Sequence, residues 1–270
     1  MLTEDERKEK QRLAKDWLPR YTGLTGKSLR TSLGQYVILT NFRSYLDEFA
    51  RIEDVEILGK DKPMQAASAK NIDVTMINFG IGAPNAALIC DMLWCGVRGV
   101  LFLGKCGGLH DQLNGRNVKI GDYILPTAAV RGEGTSDHYY PKEIPALPSF
   151  QLQKEVAPWV DDNGGKCYDG MVFTTNRRMW EHDEKFKAYL RDLRCIGIDM
   201  ETAAFFIAAF ANHLPHGSLL LVSDLPLEKA KTAASDAEVT ANHVNTHIRI
   251  GRAAMKHIAE KRDSVRHLSW

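Results

Sequence analysis

Apolar positions along the chain switch between a short, strand-like run length and a helical period, and the switches divide it into elements. Residues 1–20 are rich in Lys, Arg and Glu and predict an exposed helix; the Gly- and Thr-rich stretch 21–31 predicts a loop. Beyond it, apolar runs predict strands at 36–39, 74–79, 100–103, 123–125 with a further run ending at 130, 196–200 and 219–223. Between them, helical patterns cover 43–52, 84–94, 150–160, 181–193, 202–211 and 236–261. Pro84 suits a first helical turn. Val100-Leu101-Phe102-Leu103 is apolar throughout, as in a strand covered on both faces. Residues 132–149 hold several Gly and Pro and predict a long loop, a length that is often functional in a compact domain. No repeat, low-complexity tract or linker interrupts the alternation. It predicts a single-domain α/β/α sandwich with a central mixed sheet over residues 31–270, preceded by a helical extension at 1–30. Ligands of such folds collect in crevices near strand ends.

Composition narrows the function classes. The formal net charge of +1 gives no support to nucleic-acid binding. No run approaches the roughly 20 apolar residues of a membrane helix. The N-terminal stretch is charged throughout and lacks a signal-peptide core, so a cytoplasmic protein with no membrane partner is expected. Five cysteines, Cys90, Cys95, Cys106, Cys167 and Cys195, form no CxxC pair and read as packed free thiols.

Four strand-to-loop junctions carry candidate chemistry. In Gly80-Ile81-Gly82-Ala83-Pro84-Asn85, two glycines open a helix whose N–H groups suit an anion, or make an ordinary tight turn. Gly104-Lys105-Cys106-Gly107-Gly108 presents a lysine and backbone donors from a buried strand, or is a glycine turn with a solvated lysine. In Ile198-Asp199-Met200-Glu201 a carboxylate suits sugar hydroxyls, or stabilises a helix N-terminus. Asp224, after Val222-Ser223, suits a general acid, or a turn before Pro226.

Other patterns fail. Gly23-Leu24-Thr25-Gly26-Lys27-Ser28 resembles the end of a P-loop, but lacks its first glycine and the strand before it. The pairs His243/His247 and His213/His216 have no further ligands and no HExxH, so no metal is expected. There is no GxSxG.

In their order and spacing these pieces resemble the nucleoside phosphorylase/nucleosidase superfamily, closely the catalytic domain of the AMP nucleosidases. The resemblance runs from about residue 34 to 260. Its members are Thr40-Asn41-Phe42-Arg43, the Gly80–Asn85 and Gly104–Leu109 runs, Ile120-Gly121-Asp122-Tyr123, Arg131, Asp137-His138, Thr174-Thr175, Trp180-Glu181, Asp199-Met200-Glu201 and Ser223-Asp224-Leu225-Pro226-Leu227. The Asp-His pair and the Ser-Asp-x-Pro-Leu run match the nucleotide-cleaving branch.

The resemblance implies that residues 31–270 form a catalytic domain, without the N-terminal regulatory domain of longer forms, that hydrolyses AMP to adenine and ribose 5-phosphate. It implies Asp224 as the acid at purine N7, Glu201 on the ribose hydroxyls and Met200 against the sugar. Arg43 and Lys105, with backbone at Gly82 and Gly107, are the implied anion ligands, and Arg131 and His138 complete a phosphate pocket. Thr175 lies in the site, Trp180 stacks on the base and Lys231 assists the acid. No cofactor is implied. A homo-oligomer, dimer to hexamer, is. Purine nucleoside phosphorolysis or hydrolysis, and a non-catalytic purine-nucleotide sensor on the same fold, are the alternatives.

Overall fold

The structure, a computed structural model, describes residues 3–24, 33–94, 96–109 and 117–261. The strands are β1 (Tyr36–Thr40), β2 (Ile57–Leu58), β3 (Gln65–Ala69), β4 (Val74–Asn78), β5 (Gly99–Gly108), β6 (Tyr123–Gly132), β7 (Cys167–Thr175), β8 (Gly197–Asp199) and β9 (His216–Asp224). The helices are α1 (Glu4–Thr22), α2 (Arg43–Glu53), α3 (Ala83–Met92), α4 (Phe150–Asp162), α5 (Glu184–Asp192), α6 (Thr202–Ala211) and α7 (Ala233–Lys261).

The strands form one mixed sheet in the order β2-β3-β4-β1-β5-β8-β7-β6-β9. As expected, helices cover both faces. Val37 and Leu39 of β1 join Phe102, Leu220 and Val222 in a core with α3 and α6. Tyr36 and Ile38 point the other way, into a core with Leu101, Leu103, Leu219, Leu221 and helices α2, α4 and α7. Strands buried on both faces lose the polar alternation, which is why β1, β5 and β9 read as continuous apolar runs.

Closure was not expected from the pattern. β9 pairs with β6 and also returns to pair parallel with β5, so β5, β8, β7, β6 and β9 close on themselves. That closure turns the glycines after Leu103 into strand residues rather than a turn. β5 runs on through Gly108, buried throughout. A Cβ at Gly104 would meet the Phe102 ring at 2.5 Å, and one at Gly107 would meet Pro226 at 2.7 Å. These glycines serve close packing. The Gly23 of the P-loop-like stretch is the left-handed cap of α1, and the rest of that stretch beyond Leu24 lies outside the described residues, as does Cys95.

His247 of α7 is buried between the sheet and α2. Its ring bonds the Tyr45 hydroxyl (2.9 Å) and the Leu219 carbonyl (3.1 Å). A hydroxyl donor on one nitrogen and a carbonyl acceptor on the other suit the neutral ring. Burial pushes its pKa down to about 3 from 6.5. The unfolded chain therefore takes up a proton below pH 6.5 that the folded chain refuses, and stability is lost as pH falls toward 3. Each pH unit in that window costs about 1.4 kcal/mol. His247→Gln keeps both bonds without titrating, so its stability between pH 6.5 and 5 should fall less steeply than the wild type's, as read by urea unfolding. Parallel curves would clear His247 of that role.

Candidate active site

Elements from both sides of the closed strands converge on one cavity of about 470 Å³. That is within the usual range for small-molecule sites. Asp224, Glu201, Met200, Lys105, Gly107, Thr175, Trp180 and Lys231 all line it.

Asp224 is aimed by an irregularity. The β5–β9 register pairs Cys106 with Val222 and then Gly107 with Asp224, leaving Ser223 as an extra residue. Such a bulge rotates the chain and re-aims the next side chain. Leu225 and Pro226 then fold back over Gly107 and Gly108, where any side chain would clash. The Ser223 hydroxyl donates to Asp224 Oδ1 at 2.6 Å. Lys231 Nζ donates to Ser223 Oγ at 3.0 Å and lies 3.6 Å from Asp224 Oδ1.

Glu201 enters from the start of α6. Its carboxylate accepts the Gly82 N–H at 2.8 Å and the Met200 N–H at 3.3 Å, and is hydrogen-bonded by the Asn41 side chain. Gly82 has φ 101° and ψ 155°. That region is essentially confined to glycine, so the N–H can be presented to Glu201 only because no side chain is there. Burial, reinforced by the charge of Asp199, raises the Glu201 pKa to about 8. Burial raises the Asp199 carboxyl above its usual range too, but it accepts from the Thr174 hydroxyl (2.7 Å) and the Thr202 N–H (2.8 Å). Those bonds favour its charged form, so of this pair Glu201 is the carboxyl that keeps the proton.

A second wall is ionic. Lys105, 2% exposed, donates to Asp236 at 3.0 Å and Thr240 Oγ1 at 2.7 Å, with its ammonium 4.5 Å from the Phe42 ring centre. Lys231 reaches the same Asp236 carboxylate at 2.8 Å. Burial pushes the Lys105 pKa down against the pull of Asp236. Burial also raises Asp236, but the bonds from Lys231 and Lys105 outweigh it and hold that carboxyl below its usual range.

Four expected ligands, Gly82, Arg43, Arg131 and His138, do not line the cavity. The Gly82 N–H is taken by Glu201. Arg43 is exposed on α2, bonded to Asp47 at 2.7 Å and to Gln65. Arg131 organises the 132–149 loop: its guanidinium donates to Ser136 Oγ, to Asp137 and to the carbonyls of Tyr140, Pro141 and Ile144. His138 ends a 3₁₀ turn in that loop and is exposed. Trp180, 4% exposed, is fixed edge-on to Phe186 at 5.3 Å and supplies cavity wall. Arg131→Met should therefore loosen the loop and speed limited proteolysis between 132 and 149 by about tenfold, since an opening that costs 1.4 kcal/mol less is ten times more populated. An unchanged cleavage rate would contradict the clamp.

Sequence reasoning passed over Asp236, Arg177 and Arg178, which also line the cavity. Asp236 has one sequence signal, an acidic residue in the first turn of a long helix soon after Asp224. No group of three or more His, Cys, Asp or Glu side chains placed to hold a metal occurs among the described residues.

A family model described as the phosphorylase superfamily matches residues 35–259. The chain belongs to that superfamily. Among solved structures it is similar to AMP nucleosidase from Bacteroides thetaiotaomicron, 42% identical with a TM-score of 0.78, covering 94% of this chain and 99% of that one. Among curated proteins it is similar to the AMP nucleosidase of Escherichia coli, 28% identical over 266 residues. That match covers 82% of this chain and 54% of the relative, so the chain spans about half the length of this relative. It is also similar to a guanosine phosphorylase of Halorubrum lacusprofundi, 29% identical over 191 residues, covering 69% of this chain and 77% of that one. The cavity of this chain lies at the carboxyl ends of β1, β5, β7 and β9.

Proposed function

We propose that the protein hydrolyses the N-glycosidic bond of AMP, giving adenine and ribose 5-phosphate. The observation that carries this reading is that two carboxyl groups line one cavity, Asp224 at the end of β9 and Glu201 at the start of α6. The likeness to AMP nucleosidases selects the nucleotide as substrate.

As the C1′–N9 bond breaks, positive charge grows on the sugar and negative charge on the purine. The barrier falls when the base leaves neutral, with a proton on N7. Asp224 delivers or shares that proton, and Ser223 and Lys231 steady the carboxylate left behind. Glu201 accepts hydrogen bonds from the ribose hydroxyls, and Met200 packs on the sugar. Water attacks C1′ and leaves its second proton to solvent. This chemistry needs no metal or cofactor. On this reading the working form is a homo-oligomer, dimer to hexamer, in the cytoplasm. No helix among the described residues is long and apolar enough to cross a membrane.

The similarity to a guanosine phosphorylase supports a second reading, in which phosphate replaces water. Initial rates on AMP and adenosine, each with and without inorganic phosphate, separate the two. Hydrolysis of AMP predicts AMP preferred over adenosine by about 10² or more in kcat/KM, since several charge-assisted contacts are lost with the phosphate. It also predicts product formation without added phosphate. A requirement for phosphate would replace the first reading by the second, and equal use of adenosine without phosphate would replace it by nucleoside hydrolysis.

A further inference from the structure

We propose that Arg177 and Arg178 clamp the 5′-phosphate and so set the preference for a nucleotide over a nucleoside. This rests on the reading of the cavity as a purine-nucleotide site.

Among the described residues, the cations lining the cavity are Lys105, Arg177, Arg178 and Lys231. A phosphate dianion needs donors left over after any carboxylate contact has been made. Lys105 directs its ammonium to Asp236, Thr240 and the Phe42 ring. Lys231 directs its own to Ser223, Asp236 and Asp224. A phosphate placed on either lysine would also face the Asp236 carboxylate, a like-charge contact in a partly buried wall.

The two arginines differ. They follow β7 directly at the cavity mouth, with side chains 50% and 49% exposed. Each has one carboxylate contact, Arg177 to Asp183 at 2.9 Å and Arg178 to Glu181 at 2.8 Å, through a single Nη atom. The arginine side of each pair is half-exposed while Asp183 and Glu181 are more buried, and Glu181 also lines the cavity. An ion pair with its cation in solvent is weaker than that of the buried Lys105 with Asp236, and more readily exchanged. A guanidinium has five N–H donors in a fork that matches phosphate oxygens, so each arginine keeps donors to offer. Arg177 is also steadied: its backbone N–H donates to Thr175 Oγ1 at 3.0 Å, and its guanidinium lies over the Phe186 ring at 5.3 Å. The segment thus presents two adjacent forks at the rim while Asp224 and Glu201 work within. This differs from the expectation that Arg43, Arg131 and His138 take the phosphate, since none of the three lines the cavity.

The test compares wild type, Arg177→Gln, Arg178→Gln, the double variant and Lys105→Met in kcat/KM for AMP and for adenosine. Each arginine variant should lose about tenfold on AMP and the double about 10², with adenosine little changed. Inhibition of AMP cleavage by ribose 5-phosphate should weaken in parallel, while inhibition by ribose stays constant. Lys105→Met should keep the wild-type AMP to adenosine ratio even where both rates fall. Arginine variants that retain the wild-type ratio, or lose both substrates equally, overturn the clamp; so does a ratio that collapses in Lys105→Met alone. Failure of the underlying reading looks different: the wild type itself would show no preference for AMP.

Discussion

Replacing Asp224 by Asn is expected to lower kcat by about 10²–10⁴-fold, the usual contribution of a positioned general acid, while nucleotide affinity stays nearly unchanged. The amide keeps the shape of the carboxyl, and its oxygen still accepts the Ser223 hydroxyl that now bonds Oδ1 at 2.6 Å. It cannot deliver a proton to N7. The loss should shrink on a substrate whose leaving group departs without protonation, because the acid then has nothing to do. A kcat close to wild type on AMP would remove Asp224 from the mechanism. A large rise in KM at constant kcat would reassign it to binding.

Glu201→Gln should separate catalysis from stability in opposite directions. With substrate bound, the ribose hydroxyls donate to Glu201 and favour its ionised form; a glutamine cannot supply that charge, so turnover should fall by about 10²-fold. The fold should gain. In the folded chain the Glu201 carboxyl keeps its proton up to about pH 8, against an ordinary value of 4.5. Below pH 4.5 both states are protonated and nothing is lost. As pH rises from 4.5 to 8 the unfolded chain releases a proton that the folded chain holds, and stability falls by about 1.4 kcal/mol per unit. A neutral glutamine escapes that penalty and can still accept the Gly82 N–H. The stability gap between variant and wild type should therefore open with pH through this window, by about 3 kcal/mol at pH 7 as an order of magnitude. Thermal unfolding at pH 4.5 and pH 8 reads it directly. A gap that does not widen with pH would show that Glu201 is ionised in the empty site. A binding residue that weakens its own fold is a familiar trade between stability and function.

Asp224 and Glu201 received their roles from the family resemblance; the residues alone left a turn and a helix start open. Each stands next to a buried strand, where a carboxylate is costly unless it has partners. The doubly covered strands β1, β5 and β9 were legible as continuous apolar runs. β3 was not: Gln65-Ala66-Ala67-Ser68-Ala69 has little β-propensity and is a strand because β2 and β4 flank it. β7 was missed because Asp169 and Gly170 interrupt its first half. The glycines of β5 read as a turn, since only the return of β9 to β5 shows that they make room for Phe102 and Pro226. Arg131 looked like an anion ligand from its place at a strand end. Its partners are five acceptors within residues 136–144, a local network that no period or motif encodes. Asp236 illustrates the same limit from another side. It matters because two lysines, 131 residues upstream and on the preceding loop, reach one carboxylate, and only the packed chain brings them there.

The central claim is that water, within this cavity, cleaves AMP at its glycosidic bond. The most direct measurement incubates the purified protein with AMP in phosphate-free buffer and quantifies adenine and ribose 5-phosphate together. Both products are expected in equal amounts, accumulating catalytically, with turnover lost in Asp224→Asn. Intact AMP, or adenine that appears only when inorganic phosphate is supplied, would contradict it.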